Sequence, residues 1–118
     1  MSARLLNWAG NIEFQAVRLA QPASLDELRD LVASNDRVRV LGTGHSFNTL
    51  ADTTGALIRL DRMPASVTID ESTATATVPA GARYAEVAPE LHRAGFALAN
   101  LASLPHITVA GAVATGTH

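Results

Sequence analysis

Hydrophobic and polar residues alternate along much of the chain, and elsewhere their spacing is helical. Residues 7–20 read as an entry segment leading into a strand, with Phe14, Ala16 and Arg18 set against Glu13, Gln15 and Val17 in a weak period of two. Pro22 then breaks the chain. Ser24 followed three residues later by Glu27 is a capping box, in which hydroxyl and carboxylate take up free amides at a helix start. Leu25, Leu28, Leu31 and Val32 share one helical face, which predicts a helix ending near Asn35. Residues 37–41 alternate again, and residues 56–60 form a short apolar run; both predict strands. Residues 67–69 and 73–78 flank Asp70-Glu71-Ser72 and predict a hairpin. Tyr84, Val87, Ala88 and Leu91 have helical spacing. Pro89 should remove one backbone bond there and kink the helix, and Gly95 should stop it. Phe96-Ala97-Leu98 reads as a further short strand. The order β-α-β-β-β-β-α is a mixed α+β pattern.

Composition narrows the class. A chain of 118 residues and 12.3 kDa is one domain or part of one. Nine basic against eleven acidic residues give a net charge of −2, which excludes a broad nucleic-acid footprint. With 47% hydrophobic and 17% charged residues the chain is not disordered. Cysteine is absent, so disulfides, thiolate metal sites and a cysteine nucleophile are excluded. The basic residues are all arginine, and 22 residues are alanine. A core rich in alanine buries little area per residue, which predicts marginal stability for the chain alone. No stretch approaches the roughly 20 apolar residues of a membrane span, and no leader is visible, so a soluble cytoplasmic protein is expected. The four histidines show no ligand spacing, so no metal is expected. The tail from Ile107 to His118 is small and apolar and stops without a closing element, as if inside a domain.

Two segments carry candidate chemistry. Gly42-Thr43-Gly44 follows a strand, but the dinucleotide fingerprint needs a third glycine where Phe47 stands and a helix where a loop-like stretch follows. The Rossmann reading therefore fails. What survives is weaker: two glycines let backbone amides converge on an anion, or simply make a tight turn. His45 follows directly, on a loop where its ring is reachable. The second segment is Leu101-Ala102-Ser103-Leu104-Pro105-His106-Ile107-Thr108-Val109-Ala110-Gly111-Ala112-Val113-Ala114-Thr115-Gly116-Thr117-His118. Thr108 is a candidate cap for a short helix. Gly111, Ala112, Ala114 and Gly116 leave room for a flat ligand or phosphates to approach the main chain, or for a helix to pack tightly on a sheet.

Together, residues 41–48 and 102–118, in that order, resemble the flavin-linked oxidases of the vanillyl-alcohol oxidase superfamily, and within it the sugar-alcohol (alditol) oxidase branch. Asn7-Trp8-Ala9-Gly10-Asn11 fits the same group, so the resemblance spans residues 7–118. It implies the superfamily's FAD-binding domain, with a first α+β lobe over about 7–100 and the start of a second lobe over about 101–118. It also implies that Val40, Leu41, Gly42, Thr43, Gly44, His45 and Ser46 wrap the FAD pyrophosphate, and that His45 bonds covalently to the flavin's benzenoid-ring methyl carbon. Ser103 corresponds to a serine near the flavin ring that touches substrate. Thr108, Gly111, Ala112, Val113 and Ala114 correspond to further FAD contacts. The implied reaction oxidises a terminal hydroxyl of a polyol or sugar with O2, giving an aldehyde and hydrogen peroxide. The superfamily's substrate-orienting residues fall beyond residue 118, so the chain alone is expected to be inactive.

Two alternatives stand beside this reading. One is a sugar-lactone oxidase or FAD-dependent dehydrogenase of the same superfamily. The other is a non-catalytic module that folds or dimerises through residues 107–117 without flavin.

Overall fold

The computed structural model describes residues 5–64 and 66–117; His118 and residues 1–4 lie outside the described residues. The chain divides into two compact units, one running to Met63 and the other starting at Pro64.

The first unit is built on three short parallel strands, β1 (Arg18–Ala20), β2 (Val38–Val40) and β3 (Ala56–Ile58). Their order is β1-β3-β2, with Leu19 and Arg39 both in register with Leu57. β3 is therefore central, and its three residues are buried. Leu57 packs with Phe14 and Leu41, and Leu5, Ala16 and Ala51 close over that cluster. Helix α1 (Leu25–Ser34) links β1 to β2. Ser24 caps it through Oγ, which accepts from Glu27 N at 3.2 Å. The Glu27 carboxylate accepts from Ala23 N, one residue earlier than a standard box places it. The helix stops at Asn35, as its pattern predicts. Its apolar face is less covered than the pattern suggests: Leu28 and Leu31 are half-buried, but Leu25 and Val32 remain 54% and 50% exposed.

β2 and β3 are parallel neighbours, so the chain must return to the start of the sheet between them. Such a return usually runs through a helix. Here residues 41–55 make it as a loop. It re-enters the sheet at Gly55, where an added Cβ would lie 2.1 Å from Arg37 O. Only glycine lets the two main chains come this close.

The second unit holds the expected hairpin, β4 (Thr68–Asp70) and β5 (Thr75–Thr77), antiparallel with Ile69 opposite Ala76. Asp70 Oδ1 accepts from Ser72 N at 3.0 Å and from Ser72 Oγ at 2.6 Å, and Ala74 turns the chain with φ 52°. Helix α2 (Tyr84–Arg93) runs through Pro89. The missing N–H leaves Ala85 O without its helical donor, at a residue open to water. Val87 and Leu91 pack with Ala82 against Val67, Ile69, Val78, Phe96 and Val109. Helix α3 (Val109–Thr115) closes the unit.

Two expected strands come out differently. Strand β1 begins only at Arg18, because donors before it go elsewhere, Phe14 N to Leu5 O and Gln15 N to the Asp52 carboxylate; Val17 N, bonded to Gly55 O, is the first to reach the side of β3. Phe96-Ala97-Leu98 is not a strand. Gly95, with φ 85°, donates to His92 O, and Phe96 N donates to Leu91 O, so Phe96 completes the α2 terminus and packs on Leu91's cluster.

Gly55→Ala should destabilise the fold by about 1–3 kcal/mol, read from the denaturation midpoint, because the methyl group forces β2 and β3 apart. The Ser72 hydroxyl bond, joined by backbone and Thr73 bonds, outweighs desolvation and holds the Asp70 carboxyl below its usual value. Asp70's contribution to the hairpin is therefore complete above the ordinary carboxylate range and fades as pH falls through the lowered value. A carboxyl titration followed by NMR should show this, and Asp70→Asn should remove it.

Candidate functional site

The 41–55 return begins with the first candidate segment. Leu41 N donates to Ile58 O, which anchors the loop at the C-terminal end of the parallel sheet, and Leu41 is buried. Beyond it, the backbone amides of Gly42, Thr43, Gly44 and Ser46 donate no hydrogen bond within the described residues. Amides left unused on a half-buried glycine loop are the donors that an anionic group takes. Gly44 has φ 76°, a conformation that disfavours any side chain.

Without a helix, the loop is held from its flanks. Arg39 Nη1 donates to Leu50 O at 2.8 Å, and Asn48 Oδ1 accepts from Leu50 N at 3.0 Å. The Asp52 carboxylate takes Gln15 N at 3.0 Å and Thr53 N at 2.8 Å. Asn7 is the buried polar residue of this region, at 5% exposure. Its Nδ2 donates to Ser46 O and Asn11 Oδ1, both at 2.8 Å, and its Oδ1 accepts from Ile12 N at 3.1 Å. Next to it, Trp8 N donates to Gly44 O at 2.6 Å.

His45 sits in the middle of this frame. Its Nδ1 lies 2.7 Å from Thr43 Oγ1, and its Nε2 is buried. The Trp8 indole stacks on the imidazole, with ring centroids 5.1 Å apart and planes at 20°. Val40, the last residue of β2, is 57% exposed.

The second segment lies in the second unit. Residues 101–106 are loop, with Ser103 exposed and its hydroxyl making no hydrogen bond among the described residues. The segment is tied to α2 by Ala85 N→Pro105 O at 2.6 Å, Tyr84 N→Ile107 O at 3.1 Å and a bridge between Arg83 and Thr108. Thr108 caps α3, as expected: Oγ1 accepts from Gly111 N at 3.3 Å. Gly111 is required by that cap, since a Cβ there would lie 2.7 Å from Thr108 Oγ1. Ala112 is buried, while Val113 and Ala114 are exposed.

Leu41 to Ser46 thus share one loop, with Val40 at the end of the strand that leads into it, and Ser103, Thr108 and residues 111–114 share one segment of the other unit. Sequence reasoning missed the roles of Asn7, Trp8, Asp52 and Gly55. Asn7-Trp8 was visible as a motif, but nothing in its spacing points 39 residues ahead to Ser46.

Comparison with known proteins shows the family and the fold. The family model described as FAD binding domain matches residues 16–118. Alditol oxidase from Streptomyces sp. is 50% identical over the whole chain, which spans 29% of that protein. L-gulonolactone oxidase from Bos taurus is 34% identical over 95% of the chain and 26% of its own length. L-gulono-1,4-lactone dehydrogenase from Mycobacterium tuberculosis is 32% identical over the whole chain and 28% of its own length. The crystal structure of cholesterol oxidase from B. sterolicum superposes with a TM-score of 0.81 at 20% identity, over 98% of this chain and 24% of that one, a likeness of fold. The chain belongs to the FAD binding domain family, and its cofactor is FAD. It spans less than a third of the curated relatives it matches.

Thr108→Ala should cost about 1 kcal/mol of stability and loosen α3, seen as faster amide exchange at residues 109–112, whereas Thr108→Ser should retain the cap.

Proposed function

We propose that this chain is the FAD-binding portion of an oxidase that converts a terminal hydroxyl of a sugar alcohol to an aldehyde, with O2 reduced to hydrogen peroxide. The observation that carries the proposal is the 41–46 loop, in which the amides of Gly42, Thr43, Gly44 and Ser46 donate no hydrogen bond among the described residues and His45 is held by Thr43 and Trp8. The residues present fit the cofactor. The segment from Val40 to Ser46 wraps the pyrophosphate, the amides of Gly42, Thr43, Gly44 and Ser46 taking its charge, and the small side chains let it approach. FAD supplies the two-electron chemistry, accepting a hydride from substrate and passing the electrons to O2.

In this reading His45 is the covalent anchor. An imidazole nitrogen of His45 would hold the flavin through the methyl carbon of its benzenoid ring, His45 giving up its ring proton and O2 serving as the two-electron oxidant for the attachment. Ser103 offers its exposed hydroxyl to substrate, as the catalytic residue within this chain. Thr108, Gly111, Ala112, Val113 and Ala114 supply further FAD contacts, and residues 101–118 open the second lobe of the domain. A soluble, cytoplasmic setting belongs to the same reading; among the described residues no helix is long and apolar enough to cross a membrane.

A second reading, oxidation or dehydrogenation of a sugar lactone, is favoured by the names of the relatives at 32–34% identity. Production of hydrogen peroxide by the complete gene product with polyols, but not with lactones, decides between them.

Denaturing intact mass of the chain produced with FAD tests the anchor. The expected result is an increase equal to one FAD, lost in His45→Ala. An unchanged mass for the complete gene product would overturn the covalent reading.

A further inference from the structure

The segment before β1 holds more of His45 than a connecting loop requires. Asn7 Nδ2 grips Ser46 O, the carbonyl that follows His45, at 2.8 Å. Trp8 N grips Gly44 O, the carbonyl that precedes it, at 2.6 Å. Two consecutive residues therefore fix the main chain on both sides of one histidine. Asn7 is itself held by Asn11 Oδ1, Ile12 N and the Asn7 N→Ile12 O bond at 3.0 Å, so the grip comes from a closed loop. Gly10, with φ 75°, allows that loop to close.

With the main chain fixed, the imidazole keeps mainly its own rotation. Thr43 Oγ1 sets one edge at 2.7 Å, and the Trp8 indole covers one face. Trp8 keeps 63% of its surface open in this chain, and the face it does cover lies flat against the imidazole, where it restrains that ring. Stacking of this kind biases ring orientation by about 2- to 10-fold over unstacked alternatives.

We infer that Asn7 and Trp8 are positioning residues for His45, a clamp that presents one ring orientation to the flavin. The inference rests on the reading of His45 as the flavin anchor. Asn7 sets the height of the loop and Trp8 the plane of the ring. A flat face is required, so phenylalanine can substitute and leucine cannot.

The test uses the full-length gene product with histidine rings labelled for NMR, as wild type, Trp8→Leu and Trp8→Phe. Without FAD, the His45 ring protons of the wild type should show a single set of resonances displaced by the indole ring current. Trp8→Leu should lose the displacement and Trp8→Phe should keep part of it. A time course of intact mass with FAD should show attachment slowed about tenfold in Trp8→Leu and restored to within about threefold in Trp8→Phe. Attachment at the wild-type rate in a folded Trp8→Leu variant overturns the clamp. If the wild type itself attaches no FAD, the anchor reading fails. The NMR arm then decides the clamp alone: an undisplaced or averaged wild-type His45 ring overturns it, and a displaced single set upholds it. Because the wild-type spectrum alone decides between those two outcomes, a misfolded variant does not remove the test.

Discussion

The parallel pairing of β2 with β3 is the constraint on which the candidate site depends. Two neighbouring strands that point the same way force the chain to travel back along the sheet, and this chain does so without a helix. A helix would have consumed its own backbone donors. The loop from 41 to 55 leaves several of its amides unused at the C-terminal end of the sheet, beside His45. Support that a helix would give internally comes instead from side chains outside the loop's glycine segment: Arg39, Asp52 and Asn7. The site is thus the consequence of a connection that fails to form regular structure and is held by its neighbours.

Small residues serve different purposes in the two units. Gly55 exists because Arg37 O passes within 2.1 Å of where a side chain would begin. Gly111 exists because Thr108 occupies the corresponding space in capping α3. Gly95 exists because the end of α2 needs a left-handed residue. Gly44, like Gly95, has room for a Cβ, with ordinary contacts at 3.7 Å, and is constrained by its φ of 76° instead; its turn lies in the candidate loop, next to His45.

Much of the fold was legible along the chain. The capped helix α1, the hairpin expected at Asp70-Glu71-Ser72 (its turn spans residues 71–74, and Asp70 ends β4), helix α2 with its Gly95 stop and the Thr108 cap are local events, decided by residues within five positions of one another. The late start of β1 and the loss of a strand at Phe96 were not legible, because long-range and capping bonds took those backbone donors: Gln15 N goes to the Asp52 carboxylate, and Phe96 N goes back to Leu91 O. The apolar stripe of α1 was legible, but its exposure was not, since periodicity shows where a face is and not what meets it. In the candidate site, the loop and His45 were visible from the glycines and the motif. The Asn7–Ser46 bond and the Trp8–His45 stack join residues 37 to 39 positions apart, a distance over which local pattern carries no signal.

Trp8 is the only tryptophan in the chain. The chain's ultraviolet emission therefore comes mainly from one indole, and that indole lies against the imidazole of the candidate anchor. Its brightness follows the protonation and modification of His45 and the arrival of any chromophore that absorbs where tryptophan emits. A residue placed to hold a ring still is also an optical gauge of that ring, so the filling of this site can be watched in solution without a label.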